Sequence, residues 1–217
     1  MHGVYLIADI PKLKLACLTL NEPNRAIRHK QLKLLFDDFT AAADFPAFAV
    51  LEDLLDLYPD AKVVLNCRSS AEAWERSVRD SLRFFSTGTY LWLCGMWPQS
   101  YWHHRLYVEY KKLMRKRFGD PGLDVFSTGF YGMHDGWVRR VCKERGVEML
   151  EWQVGMGWDG LAEYVGAEVP EGQFPRINEA AGIAELARYL ILKGLLSWLG
   201  ILGLPVMVLF VWWSVKL

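Results

Sequence analysis

Twenty residues, Tyr58 to Ser77 (YPDAKVVLNCRSSAEAWERS), most limit what this chain can become. A turn at Tyr58-Pro59-Asp60 leads into a short apolar run, Ala61 to Cys67, and the run ends on Arg68. A helical pattern follows through Ser70, Trp74 and Ser77. A strand passing directly into a helix is the unit of an α/β sheet. In such sheets ligands gather at the carboxyl ends of strands. An arginine there, backed by a helix N-terminus, suits an anionic group such as phosphate or sulfate. The competing role for Arg68 is a structural ion pair with a neighbouring acid.

The rest of the chain supports alternating elements. Val4 to Ala8 has the makings of a short strand, and Asn24 to Phe36 of a basic helix. Phe48, Leu51, Leu55 and Tyr58 recur near helical spacing, so a helix is expected over Pro46 to Leu57. Lys62 to Cys67 is the expected strand, and Ser70 to Phe85 the next helix, with Ser69 or Ser70 as its cap. An aromatic helical stretch runs from Tyr90 to Phe118, either as core or as an acceptor wall. It ends in the Lys111–Arg117 cluster, a solvated helix end that could also meet anionic lipid. A helix from His134 stops at Gly146, Val147 to Val154 alternates as a second strand, and Trp158 to Val165 forms a short helix. Val169 to Ile177 is extended.

Composition narrows the function classes. Lys+Arg and Asp+Glu both number 25, so net charge gives no reason to expect a nucleic-acid partner. Four scattered cysteines without a CxxC pair suit a reducing compartment, and no metal site is expected. Adjacent residues diverge by about 100° on a helix, which argues against His103-His104 as a metal pair. Gly194 to Val215 runs 22 residues without a charge, bracketed by Lys193 and Lys216. As a helix this is about 33 Å, enough to span a bilayer. The alternative is a buried core helix. With no secretory leader visible, the expected arrangement is a single-pass C-terminal anchor with the bulk facing the cytosol. The expected division is therefore a domain over 1–180, a linker over 181–193 and a transmembrane helix over 194–215.

Five motifs then occur in order: YPDAKVVLNCR, AEAWERSV, HDGWVRRV, GWDGLAEYVG and VPEGQFPRIN. Together they resemble the P-loop sulfotransferase superfamily. The narrower likeness is to a sulfotransferase-like branch common in fungi, whose members are often mislabelled as NAD-dependent epimerase/dehydratases. The likeness covers roughly Phe36 to Asn178. It implies a three-layer α/β fold around a parallel sheet. It also implies sulfuryl transfer from 3′-phosphoadenosine 5′-phosphosulfate (PAPS) to a hydroxyl or amine of a small apolar acceptor, with the product nucleotide PAP released. Arg68 falls on the family arginine that binds the donor 3′-phosphate, and Ser77 on the serine that assists it. The Arg–Ser spacing is one residue longer than usual, which leaves Ser69 and Ser70 as substitutes. Asp44, in Asp44-Phe45-Pro46, matches a recurrent element that could face the acceptor or cap a helix. His2 falls on an element that follows the family's phosphate loop and has general-base chemistry. His134 is a weaker catalytic candidate.

The family's glycine-rich loop has no counterpart here: after Gly3 the next glycine is Gly88. The expectation is an N-terminally incomplete P-loop fold, from a truncated or divergent gene. It is either a membrane-tethered sulfotransferase-like enzyme or an inactive pseudoenzyme serving as a scaffold.

Overall fold

The computed structural model describes residues 9–172 and 179–215. The expected strand Val4 to Ala8, the residue His2 and positions 173–177 of the segment expected to be extended lie outside the described residues.

Helix α1 (Ile10–Thr19) starts on Asp9, whose carboxylate accepts the Lys12 N–H at 3.0 Å, with Pro11 in the first turn. Its buried residues Leu13, Ala16, Cys17 and Leu20 sit at i, i+3, i+4 and i+7. The lysines that break the apolar run, Lys12 and Lys14, belong to its outer side. Helix α2 (Arg25–Phe36) is capped by Asn24, whose side chain accepts the Ala26 and Ile27 N–H groups. A 3₁₀ turn (Ala47–Val50) leads into α3 (Leu51–Leu57). Strand β1 (Val63–Asn66) follows, then α4 (Ala71–Ser81), capped by Ser70. A second 3₁₀ turn spans Arg83–Ser86.

The aromatic stretch is two helices, α5 (Gly88–Cys94) and α6 (Pro98–Phe118), rather than one. Pro98 cannot continue a helix from before it but starts one well. Helix α7 (Thr128–Arg145) begins six residues before His134. Ser127 caps it by accepting the Phe130 N–H at 3.2 Å, and Gly129 and Gly132 lie within its first turns. Their low helix propensity hides that start in the sequence. Strand β2 (Met149–Trp152), helix α8 (Asp159–Val165) and helix α9 (Glu179–Val215) complete the chain.

β1 and β2 pair in parallel, with Val63 opposite Met149 and Asn66 opposite Trp152. The fold is mixed α/β, and among the described residues its sheet has these two strands rather than a broad centre. Helices dominate because most apolar side chains are spaced for helix faces. The larger core joins α1, α2, α6 and the aromatic rings Phe85, Tyr90, Tyr107, Tyr110 and Phe130. A smaller core under the sheet contains Leu55, Leu65, Trp137, Val138, Val141 and Cys142.

The buried aromatics include two histidines. His103 lies against Phe85, Tyr90, Tyr107 and its neighbour His104, and burial lowers its pKa to about 4. His104 donates its Nδ1–H to the Phe85 carbonyl (3.2 Å) and is shifted the same way by burial. An unfolded histidine titrates near 6.5, so between about 6.5 and 4 the unfolded chain binds protons that the folded chain does not. Stability is therefore full above about pH 6.5 and falls as pH drops through this window. At pH 5 the loss from His103 is roughly 2 kcal/mol. Urea midpoints at pH 7 and pH 5 should differ accordingly, and His103→Phe should shrink that difference. An equal difference in wild type and variant would contradict this assignment.

Helix α9 is continuous through positions 181–193 and 194–215. Ile183, Ala187 and Leu190 pack on the main core. Gly194 comes so close to α5 that an added Cβ would stand 2.3 Å from the Leu93 carbonyl oxygen. The Trp97 indole donates to Ser197 Oγ at 3.1 Å, Trp198 stacks on Trp92, and Lys193 lies over the Trp97 ring. Farther along, Leu199, Ile201 and Leu202 are exposed. Within α9, Gly182–Gly203 is the one described stretch long and apolar enough to cross a membrane.

Candidate functional site

The site is built at the carboxyl end of β1. The Cys67 N–H donates to the Trp152 carbonyl (2.8 Å), which extends the parallel pairing one residue past the strand. The chain then leaves the sheet at Arg68, whose backbone N–H donates to the Tyr131 hydroxyl at 3.0 Å. Tyr131 projects from α7, and its ring lies 5.2 Å from that of Trp74 on α4. Burial raises the Tyr131 pKa, which keeps its proton in place for the nearby Asp135 carboxylate. Asp135 is itself buried. Strand end, α4 and α7 thus meet at Tyr131, which holds the backbone of Arg68 and touches Trp74.

The surrounding charges differ in how they are used. Arg139 grips Glu151 of β2 through two hydrogen bonds, at 2.7 and 2.9 Å. Arg68, by contrast, is exposed and its guanidinium has no ion pair among the described residues. Among the described residues the alternative role, a structural ion pair, is not made. Five N–H donors remain available on a rigid fork. Cys67 lies beside Arg68, but burial raises its thiol pKa, so it is a poor nucleophile.

The serines divide by role. Ser70 Oγ accepts the Ala73 N–H at 3.1 Å and is occupied as the helix cap. Ser69 is exposed between the arginine and the cap. Ser77 is exposed seven residues after Ser70, so it lies on nearly the same stripe of α4, about 10 Å along its axis. Arg68, Ser69 and Ser70 share one rim, with Ser77 on the helix leading away.

Asp44 belongs elsewhere. It takes a left-handed conformation (φ 60°), and its carbonyl accepts the Phe48 N–H at 3.2 Å. Phe45 beside it packs on Tyr107 and Tyr110 of α6. The two regions approach through Phe48, whose ring meets His134 edge-on. His134 sits mid-helix among Phe48, Phe130 and Trp137. In the aromatic stretch, Tyr90, Tyr107 and Tyr110 are core, whereas Trp92 and Tyr101 are exposed.

One further cluster has ligand-like spacing: His29, Asp53 and Asp56. Its carboxylates are already neutralised. Arg28 holds Asp53 through two bonds of 2.9 Å, while Arg25 and Arg145 both hold Asp56. This is a salt-bridge network joining α2, α3 and α7.

Tyr131, Asp135 and Trp74 were not singled out from the sequence as site residues. The spacing of Tyr131 and Asp135, four apart, places them on one helix face once α7 is known to start at Thr128.

Comparison with known proteins gives the family. A sulfotransferase-domain family model matches residues 1–183. A protein of Aspergillus versicolor described as "Ava biosynthesis cluster protein M" is 29% identical over 161 residues, covering 70% of this chain and 59% of the relative. The chain thus spans about three-fifths of that relative's length. Since the sulfotransferase-domain match takes in both strands and the whole rim around Arg68, this chain belongs to the sulfotransferase-domain family.

Proposed function

We propose that the rim at Arg68 is the 3′-phosphate half of a site for PAPS and its product PAP. The single observation that carries this reading is an exposed arginine, with no ion pair among the described residues, at the carboxyl end of a parallel strand and the entrance to a capped helix. Arg68 is the donor of a bidentate pair to a phosphate. Ser69 beside it, and Ser77 farther along α4, are the candidate hydroxyls to assist it. The residues present fit the 3′-phosphate. They do not fit the 5′-phosphosulfate, because the chain has no glycine between Gly3 and Gly88 to form a phosphate loop.

When bound, PAPS supplies the activated sulfuryl group, which the full reaction passes to a hydroxyl or amine of a small apolar acceptor. This chain's own part is to hold and orient the nucleotide through Arg68. Tyr131 fixes the backbone from which that arginine projects. Asp44 and His2 remain the candidates for work on the acceptor side, His2 lying outside the described residues. Three layers around a larger parallel sheet would follow for the whole family fold. A second reading keeps the same nucleotide contact at Arg68: the domain binds PAP without transferring sulfate and serves as a scaffold. Calorimetry with PAP on the full chain tests the shared premise. Saturable binding that depends on Arg68 is the expected result, and no heat of binding would remove both the donor assignment and the scaffold variant built on it. Sulfate transfer from PAPS by the same preparation separates enzyme from scaffold.

The same proposal places the domain on a membrane, with its bulk on the cytosolic side and lipid as the partner of the distal part of α9. Trp212 is exposed near the end of that helix, where indoles favour the interface. The docked turns end at Ser197 and Trp198. Truncation after Trp198 keeps that docking and removes the rest. It should move the protein from an alkali-resistant membrane pellet to the supernatant; a truncated chain that stays in the pellet would count against the anchor.

A further inference from the structure

A cleft of about 230 Å³ opens between Arg83 and Ser86 on one side, Lys111 and Arg115 of α6 on another, and the loop carrying Asp124. It is separate from the rim at Arg68. Arg83 follows the far end of α4, and the 11 residues of that helix span about 16 Å.

Its charges do not balance locally. Three cations face the cleft with one acid, and that acid is engaged: Asp124 bonds Arg79 at 3.0 Å and accepts the Phe126 N–H at 3.0 Å. Lys111 donates to Ser86 Oγ at 3.0 Å, and Arg115 Nε donates to the Leu123 carbonyl at 3.3 Å. Neither bond supplies negative charge. Arg83 has no side-chain hydrogen bond or ion pair among the described residues. The Arg83 fork, the remaining Arg115 donors and the spare Lys111 protons are thus left for a ligand. Burial, with Arg115 and Arg83 close by, lowers the Lys111 pKa, as expected where positive charges converge without a counter-charge. The other hydroxyls of the wall are spent internally, Ser86 on the Arg83 carbonyl and Thr87 on the Phe84 carbonyl.

We propose that this cleft is a second anion site, binding a phosphate or sulfate monoester through Arg83, Lys111 and Arg115. Guanidinium forks and an ammonium are the donors that such oxyanions select. The half-open shape admits the oxyanion with its ester group toward solvent. The ester could come from a soluble metabolite or from a lipid headgroup.

The test uses the full chain in detergent with Arg68→Ala in place, so that the nucleotide rim is silent and either site can fail without the other. Calorimetry with inorganic phosphate and with glycerol 3-phosphate should show saturable binding. Arg83→Gln should weaken it by at least about tenfold, and Arg83→Glu by about a hundredfold. Since the Arg83 side chain makes no hydrogen bond or ion pair among the described residues, near-UV circular dichroism should stay unchanged in both variants. Arg83→Lys, which keeps the charge, should recover part of the affinity. A short-chain phosphatidic acid binding much tighter than glycerol 3-phosphate supports the site with a lipid source, and equal affinities support it with a soluble one. Absence of saturable phosphate binding, or affinities unchanged by Arg83→Glu, would overturn the proposal.

Discussion

Arg68→Ala is expected to reduce PAP affinity by roughly a hundredfold or more while leaving the fold almost as stable as before. The first half follows from the guanidinium. A charge-assisted hydrogen bond contributes about 1.5–3 kcal/mol, and a bidentate arginine makes two to one phosphate. Losing even 3 kcal/mol is about a hundredfold in affinity. The second half follows from what Arg68 does not do. It is exposed, has no ion pair among the described residues, and its structural contact to Tyr131 runs through the backbone N–H, which alanine keeps. Arg139→Ala is the control, because its guanidinium is already spent on Glu151. It should change PAP affinity little. Arg68→Lys should fall between, retaining charge but not the fork. Calorimetry for affinity and urea titration for stability, run on all three variants, make the comparison. If Arg68→Ala binds PAP as wild type does, the nucleotide does not sit on this rim.

Why this rim could be read from sequence, and much of the rest could not, comes down to the range of the signals. Ser70, one of two cap candidates, and Gly146 mark helix ends through contacts a few residues long, and each falls where the structure puts it. The two strands are short apolar runs bounded by turns, and they too fall close to their expected places. Helix α1 was obscured because its lysines break the linear apolar run, although Leu13, Ala16, Cys17 and Leu20 form one face. The start of α7 was hidden by glycines that tertiary packing overrides. The contacts of Arg68 were out of reach for a different reason. Tyr131 lies 63 residues away in sequence, and nothing local announces their meeting. The same holds for Gly194 against Leu93, where a glycine in an apolar run looks like a membrane-helix feature but serves a close approach to α5. Family resemblance carried the functional reading further than any spacing rule, because five motifs in order are a long-range signal.

The largest stability effect is expected at Trp137, which supports the strand from which Arg68 projects. Its side chain is 2% exposed in the small core with Leu55 and with Leu65 of β1. The Arg117 guanidinium lies 4.1 Å from its ring, and its indole N–H reaches Glu52 at 3.4 Å. Trp137→Ala removes that ring from a core too small to close over the gap. Truncations of this kind cost about 3–5 kcal/mol. Arg117 suffers as well. Burial already lowers its pKa, and without the ring it loses a favourable face while staying bonded to the Ala49 carbonyl at 2.8 Å. For a domain of this size the combined loss should lower Tm by roughly 10 °C. Trp137→Phe refills part of the space and should cost less than half as much. Trp92→Ala is the contrast: that ring is 65% exposed and touches Trp198 from outside, so its loss should stay near 1 kcal/mol. Because Leu65 is three residues from Arg68, Trp137→Ala should also weaken PAP binding at temperatures where the variant is still folded. Thermal unfolding and PAP titration on the same samples separate the two effects. A Tm within about 2 °C of wild type would show that the small core does not hold β1 in place.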